Sequence, residues 1–166
     1  MAIHGLNSQD GIGLTLFVPR GQQHEAAAFY LVAFGATSPR HWISPKTGEV
    51  TGIDITIGRA TFTVSGANPK READASLPNL GANACAVTGR ASTIFQLCVD
   101  DVDTTTARAV AVGATVRTPP QDADWGDRIA TIVDPFGHIW ALASIRCEMP
   151  VADYNARGNI QLVEAF

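Results

Sequence analysis

Two stretches of this chain carry the same signals in the same order, and that internal duplication limits the fold more than any other feature. In the first stretch the apolar run GLTLFVP (13–19) predicts a strand. QQHEAAAFYLVAF (22–34) then predicts an Ala-rich helix stopped at Phe34-Gly35-Ala36. In the second, STIFQLCV (92–99) is the strand and DVDTTTARAVAV (101–112) the helix, opened by Asp101 or Asp103 as N-cap and stopped at Val112-Gly113-Ala114. The stop glycines Gly35 and Gly113 are 78 residues apart. Three strand candidates follow each helix: 37–44, 49–57 and 60–65 in the first half, 114–118, 127–133 and 138–144 in the second. Gly58-Arg59 and Asp134-Pro135-Phe136-Gly137 read as the last hairpin turns. Each half is therefore a βαβββ unit, and the expected class is α+β: two such repeats forming a paired, cleft-forming mixed sheet covered by helices.

The chain has 166 residues, enough for one domain with a real core but not for two comfortable ones, so residues 1–166 are expected to form a single unit. Within it, repeat one covers about 12–65, a Gly-, Ala-, Asn- and Pro-rich linker 66–91, repeat two about 92–145, and a C-terminal tail 146–166. A hydrophobic fraction of 46% against 17% charged residues excludes disorder, and no apolar run is long enough for a membrane span. The net charge of −4 gives no reason to expect nucleic acid or an anionic membrane as partner. MAIHGLNSQDG lacks the basic-then-apolar pattern of a secretory signal, which makes the cytoplasm the expected location. Cys85, Cys98 and Cys147 are too few and too widely spaced for a disulfide framework or a zinc knot.

The segments AAAFYLVAFGA (26–36), LCVDDVDTTTARAVAVGA (97–114) and, most specifically, WGDRIATIVDPFGHIWALA (125–143) resemble the vicinal-oxygen-chelate superfamily of glyoxalases, bleomycin-resistance proteins and dioxygenases. Within it they are most similar to the glyoxalase-like group often labelled PhnB-like. The resemblance covers about 12–145. It implies a paired βαβββ fold, frequent homodimers, and activities running from metal-dependent isomerases, lyases and dioxygenases to metal-free drug-binding proteins. Metal-dependent members take His, Gln or Glu ligands from the first and last strand of each repeat. Counted from the motifs, those positions fall on Gly13, on Thr61 or Thr63, on Ile94 and on Ala141. None is a good donor, so neither metal nor other cofactor is expected. His4, His24, His41 and His138 show no ligand spacing; structural or surface roles are expected, and local hydrogen bonding for His138. A site built on His41 or Glu49 has no motif behind it.

If Ile94 stands where a ligand would, strand alternation gives the rest of the cleft. Gln96 and Cys98 then face it from the same strand, with Phe95, Leu97 and Val99 beneath the helices. Gly13, Thr15 and Phe17 face it from the first strand, and Ile139, Ala141 and Ala143 from the last. Asp54, Thr56, Thr61 and Thr63 join them opposite Ile53, Ile55, Ile57, Phe62 and Val64. Trp125 is placed to roof the cleft, and Trp42 or Trp140 to add aromatic surface, with plain packing the alternative for each. Asp127 and Arg128 are expected to pair locally. Asp54 is the candidate catalytic acid, a carboxylate in a partly apolar cleft that can serve as general base. Cys98 lacks an activating neighbour in sequence, which favours a buried structural thiol.

Such a cleft suits a small organic ligand. Two functional readings stay open: a metal-independent protein that sequesters an aromatic or cationic compound, and a glyoxalase-like enzyme acting on a small organic substrate. A purely structural module has no positive feature in its favour.

Overall fold

The structure is a computed structural model that describes residues 13–66, 91, 93–157 and 161–163. The first half runs β1 (Leu14–Val18), α1 (Gln23–Phe34), β2 (Thr37–Ile43), β3 (Val50–Ile57) and β4 (Ala60–Gly66). The second runs β5 (Ile94–Cys98), α2 (Val102–Ala111), β6 (Thr115–Asp122), β7 (Asp127–Val133) and β8 (Ile139–Ile145), followed by a short helix α3 (Val151–Arg157). Both halves fold into a four-stranded mixed sheet of the same order, β1-β4-β3-β2 and β5-β8-β7-β6. The first strand of each pairs in parallel with the last, and the other pairings are antiparallel. The duplicated βαβββ architecture is as the sequence predicts.

Local chemistry sets the helix ends. α1 stops where Gly35 takes a left-handed φ of 66°, with the Gly35 and Ala36 amides closing on the Leu31 and Tyr30 carbonyls. α2 starts at Asp101, whose carboxylate accepts from the Thr104 amide at 2.6 Å. That hydrogen bond holds the Asp101 carboxyl below its ordinary pKa. α1 lays Ala26, Phe29, Tyr30 and Ala33 on the first sheet at helical spacing, against Ile53, Ile55, Phe62 and Val64.

The two halves meet through their helix-covered sides. α1 packs on α2, and the rings of Phe29 and Phe136, Tyr30 and Trp140, Phe34 and Trp140, and Phe62 and Phe95 stand 4.7 to 6.4 Å apart across the seam. A polar bond lies inside this apolar seam. The Tyr30 hydroxyl donates at 2.6 Å to Asp134, whose Oδ2 also accepts from the Trp140 indole at 3.0 Å and lies 3.2 Å from His138 Nδ1. Asp134 Oδ1 takes the backbone amides of Phe136 and His138, both at 2.9 Å. The DPFGH turn thus wraps a buried carboxylate, and His138 has the local bonding role expected of it. Burial pushes the Asp134 carboxyl up, but His138, the Tyr30 hydroxyl and the Trp140 indole outweigh it and leave the group below its ordinary value.

Trp140, at 1% exposure, lies in this core and adds no surface to a cleft. Arg128 does not pair with Asp127. It reaches back to Asp103 on α2 and to Asp122, because alternation along β7 sends it to the helix side. The expected linker lies almost wholly outside the described residues, as do Cys85 and His4. The tail does form a helix, but α3 buries none of its residues, and Leu162 and Val163 are exposed. Among the described residues no helix is long and apolar enough to cross a membrane.

Candidate functional site

On each sheet, the face away from the helices carries the predicted ligand residues. Strand register arranges them in rows. On the first sheet Arg40, Asp54, Thr63 and Thr15 are successive neighbours across the four strands, and Trp42, Gly52, Ser65 and Phe17 form the next row. Thr56 and Thr61 sit beside them, hydroxyl to hydroxyl at 3.3 Å. On the second sheet Gln96, Ala141 and Thr131 form one row, flanked by Ile94, Ile139 and Val133 and by Cys98, Ala143 and Ile129. Alternation therefore assigns the faces correctly: Leu16, Val18, Ile53, Ile55 and Val64 are buried under α1, and Leu142 and Trp140 lie on the core side of β8.

The two groups are not brought together within one chain. The sheets pack through their helix sides, so the opposite faces point away from each other. Among the described residues no ladder joins β1 to β5, and the two sheets remain separate. Among the described residues the expected edge-to-edge cleft is not formed; the two open faces stay separate, one mostly polar and one mostly apolar.

The polar half is organised around Asp54, and here the structure departs from expectation. The residue is on the predicted face, but its exposure is 0%. Its Oδ1 accepts from the Trp42 indole and from the Thr63 hydroxyl, both at 2.9 Å. Arg40 Nε lies 3.1 Å from Oδ2 as an ion pair, without a hydrogen bond aimed at that oxygen. A carboxylate sealed beneath three side chains has no path to a substrate proton, so its geometry suits anchoring more than general-base chemistry. Gly52 makes room for the arrangement: a Cβ there would stand 3.2 Å from Thr63 Cγ2 and 3.4 Å from Trp42 Cδ1.

The apolar half is open. Ile94 is 58% exposed, and Gln96 and Cys98 are exposed beside it. Cys98 is thus an accessible thiol, contrary to the buried one expected, because β5 is an edge strand with its outer face uncovered. Trp125, 45% exposed, stands at the β6–β7 turn with its indole on Asp127 at 2.9 Å, at the rim of this face. A hollow of about 330 Å³ runs between Cys98, Asp127, Ala143 and Ile145. Another, of about 400 Å³, lies at the seam between Phe34, Ile57, Leu97, Cys98 and Arg108.

The positions that would ligate a metal do not fit one. Ile94 and Ala141 have no donor atoms, Gly13 has no side chain, Thr61 is engaged with Thr56, and Thr63 is engaged with Asp54. Among the described residues no group of three or more His, Cys, Asp or Glu side chains gathers elsewhere. His41 packs edge-on to His24, and Glu49 pairs with Arg20 at 3.2 Å.

Residues 12–142 match the family model described as the glyoxalase/bleomycin resistance protein/dioxygenase superfamily. The chain belongs to that superfamily. Among its relatives, the uncharacterized protein Mb0911c of Mycobacterium bovis is 33% identical over 133 residues, 78% of each chain. The fold is shared with the hypothetical protein SA1046 of S. aureus at TM-score 0.60 and 19% identity, over 83% of this chain and 95% of that one. It is also shared with a glyoxalase/bleomycin resistance protein/dioxygenase family enzyme of Burkholderia phytofirmans at TM-score 0.57 and 19% identity, over 80% and 96%.

The residue that sequence reading missed is Arg40. A register shift lies between Thr37 and Arg40 on β2, so counting by twos along that strand does not fix its face. Its register pairing with Asp54, seen only in the folded sheet, places it on this face.

Proposed function

We propose that this superfamily member is a metal-independent binding protein for a small, aromatic organic molecule, and that its binding cleft is completed by a second copy of the chain. The carrying observation is the pair of open sheet faces that no ladder joins within one chain, each bearing an aromatic side chain, Trp42 or Trp125. Within one chain each is an open sheet face. If the second sheet of one copy meets the edge of the first sheet of another, β1 beside β5, the rows join into one concave surface of a size and composition suited to a small ligand. The exposed Ile94 and Ile145 support this, since large apolar side chains on an open sheet and its edge are a usual mark of an interaction surface. Enzymatic use of Asp54 gains no support from its sealed position.

The test is a fluorescence titration with N-phenyl-1-naphthylamine, a neutral aromatic probe, before and after exhaustive chelation. Saturable binding that chelation leaves unchanged is expected. Binding that disappears with the chelator and returns with one divalent ion per chain would overturn the metal-independent reading.

A further inference from the structure

The charge of the whole chain says little about the charge of its cleft. Of the residues that register puts on the first-sheet face, the charged ones are Arg40 and Asp54, and Asp54 is sealed. The Arg40 side chain is 47% exposed. Its Nε stands over the Asp54 carboxylate at 3.1 Å, while its two terminal nitrogens have no protein partner among the described residues. A guanidinium has five N–H donors in a planar fork, and the terminal edge matches a carboxylate or sulfonate oxygen pair. Beside it the Trp42 indole is fixed by its bond to the same carboxylate and by its seat over Gly52. Asp54 thus holds a cation and an aromatic ring side by side, and Thr63 steadies it from the next strand.

We infer that Arg40 is the specificity-determining residue of the polar half-site, and that the ligand is an aromatic anion. Its carboxylate or sulfonate takes the terminal N–H edge of Arg40, and its ring system lies along Trp42 toward the apolar half. This deepens the proposed function and rests on it. The assignment departs from the cationic compound that the sequence leaves open, because the sealed Asp54 offers no acceptor to solvent while Arg40 offers donors. Asp54 acts as a positioning residue: its buried charge keeps the guanidinium over this face beside Trp42.

Two probes with one skeleton test it. 1-Anilinonaphthalene-8-sulfonate and N-phenyl-1-naphthylamine differ in the sulfonate alone. Wild-type protein is expected to bind the sulfonate about tenfold more tightly, the scale of one charge-assisted hydrogen-bonded contact. Arg40→Lys keeps part of that preference. Since Arg40→Gln leaves Asp54 buried without its cation, the double variant Arg40→Gln/Asp54→Asn is measured beside it, with circular dichroism to confirm folding. In a folded variant the two probes should bind alike. Equal binding of both probes to wild-type protein, or a sulfonate preference that survives loss of Arg40, overturns the assignment but leaves the binding cleft standing. Binding of neither probe overturns the cleft reading and this inference with it.

Discussion

Replacing Tyr30 with phenylalanine removes one oxygen from the seam between the two halves. The bond lost to the buried Asp134 carboxylate is short, 2.6 Å, and joins residues 104 positions apart; the same hydroxyl lies 3.3 Å from His138 Nδ1. Hydrogen bonds to charged groups contribute about 1.5–3 kcal/mol. Asp134 keeps the Trp140 indole, His138 and two backbone amides, so the lower part of that range applies, about 1.5–2 kcal/mol. For a chain of this size that lowers the melting temperature by about 3–8 °C. The pH dependence gives an independent check. The Asp134 carboxyl is depressed in the folded state, so the stability it contributes is fully present above the unfolded carboxylate pKa of about 4 and is lost as pH falls through the folded value. The penalty of Tyr30→Phe should therefore be full at pH 7 and shrink below about pH 4. Urea unfolding of both proteins at pH 7 and at pH 3.5 measures it. A penalty under about 0.5 kcal/mol at pH 7, or one that grows on acidification, would refute the view that an ionised Asp134 holds the two halves together.

Other outcomes follow from the same geometry. Gly35→Ala should lose about 1 kcal/mol in chemical denaturation, since a Cβ is strained at its φ of 66°. Leu142→Ala, at a side chain 1% exposed in the core, should lose about 2–5 kcal/mol by the same measurement. Asp54→Asn should keep binding of the neutral naphthylamine within about threefold of wild type, because Asn can still accept from Trp42 and Thr63. Complete loss of binding in a folded Asp54→Asn protein would restore a direct role for the carboxylate. Ile94→Asp should leave the fold intact by circular dichroism yet convert the species seen in sedimentation to 17.5 kDa monomers; an unchanged dimer would move the interface elsewhere.

The fold was legible because the duplication repeats its punctuation: the helix stops at Gly35 and Gly113 and the paired turns fix both units, and alternation then sorted Ile53 from Asp54 and Ala141 from Leu142. What was not legible is how the units associate. Phe29, Tyr30, Phe62, Phe95 and Trp140 read as apolar core in either case, and only their packing across the seam decides that the helix sides meet and the open faces diverge. Asp127 and Arg128 are a different case: the alternation that sorts the other strands sends these neighbours to opposite faces of β7, and only the position of α2 shows that Asp103 is the partner Arg128 meets. Packing also decides Asp54, whose face was predictable although the three side chains covering it come from two other strands.

Whether one binding cleft takes its two halves from two chains is settled most directly by complementation. Thr15→Trp fills the polar half and Ala141→Trp the apolar half, and each variant alone should bind no neutral probe. Unfolded together and refolded as a mixture, they should recover binding, because in a mixed dimer one cleft carries both substitutions and the other carries neither. Half of the wild-type sites per mixed dimer is the expected result. No recovery, with mixed dimers shown to form by native mass spectrometry, would mean that each chain builds its cleft alone.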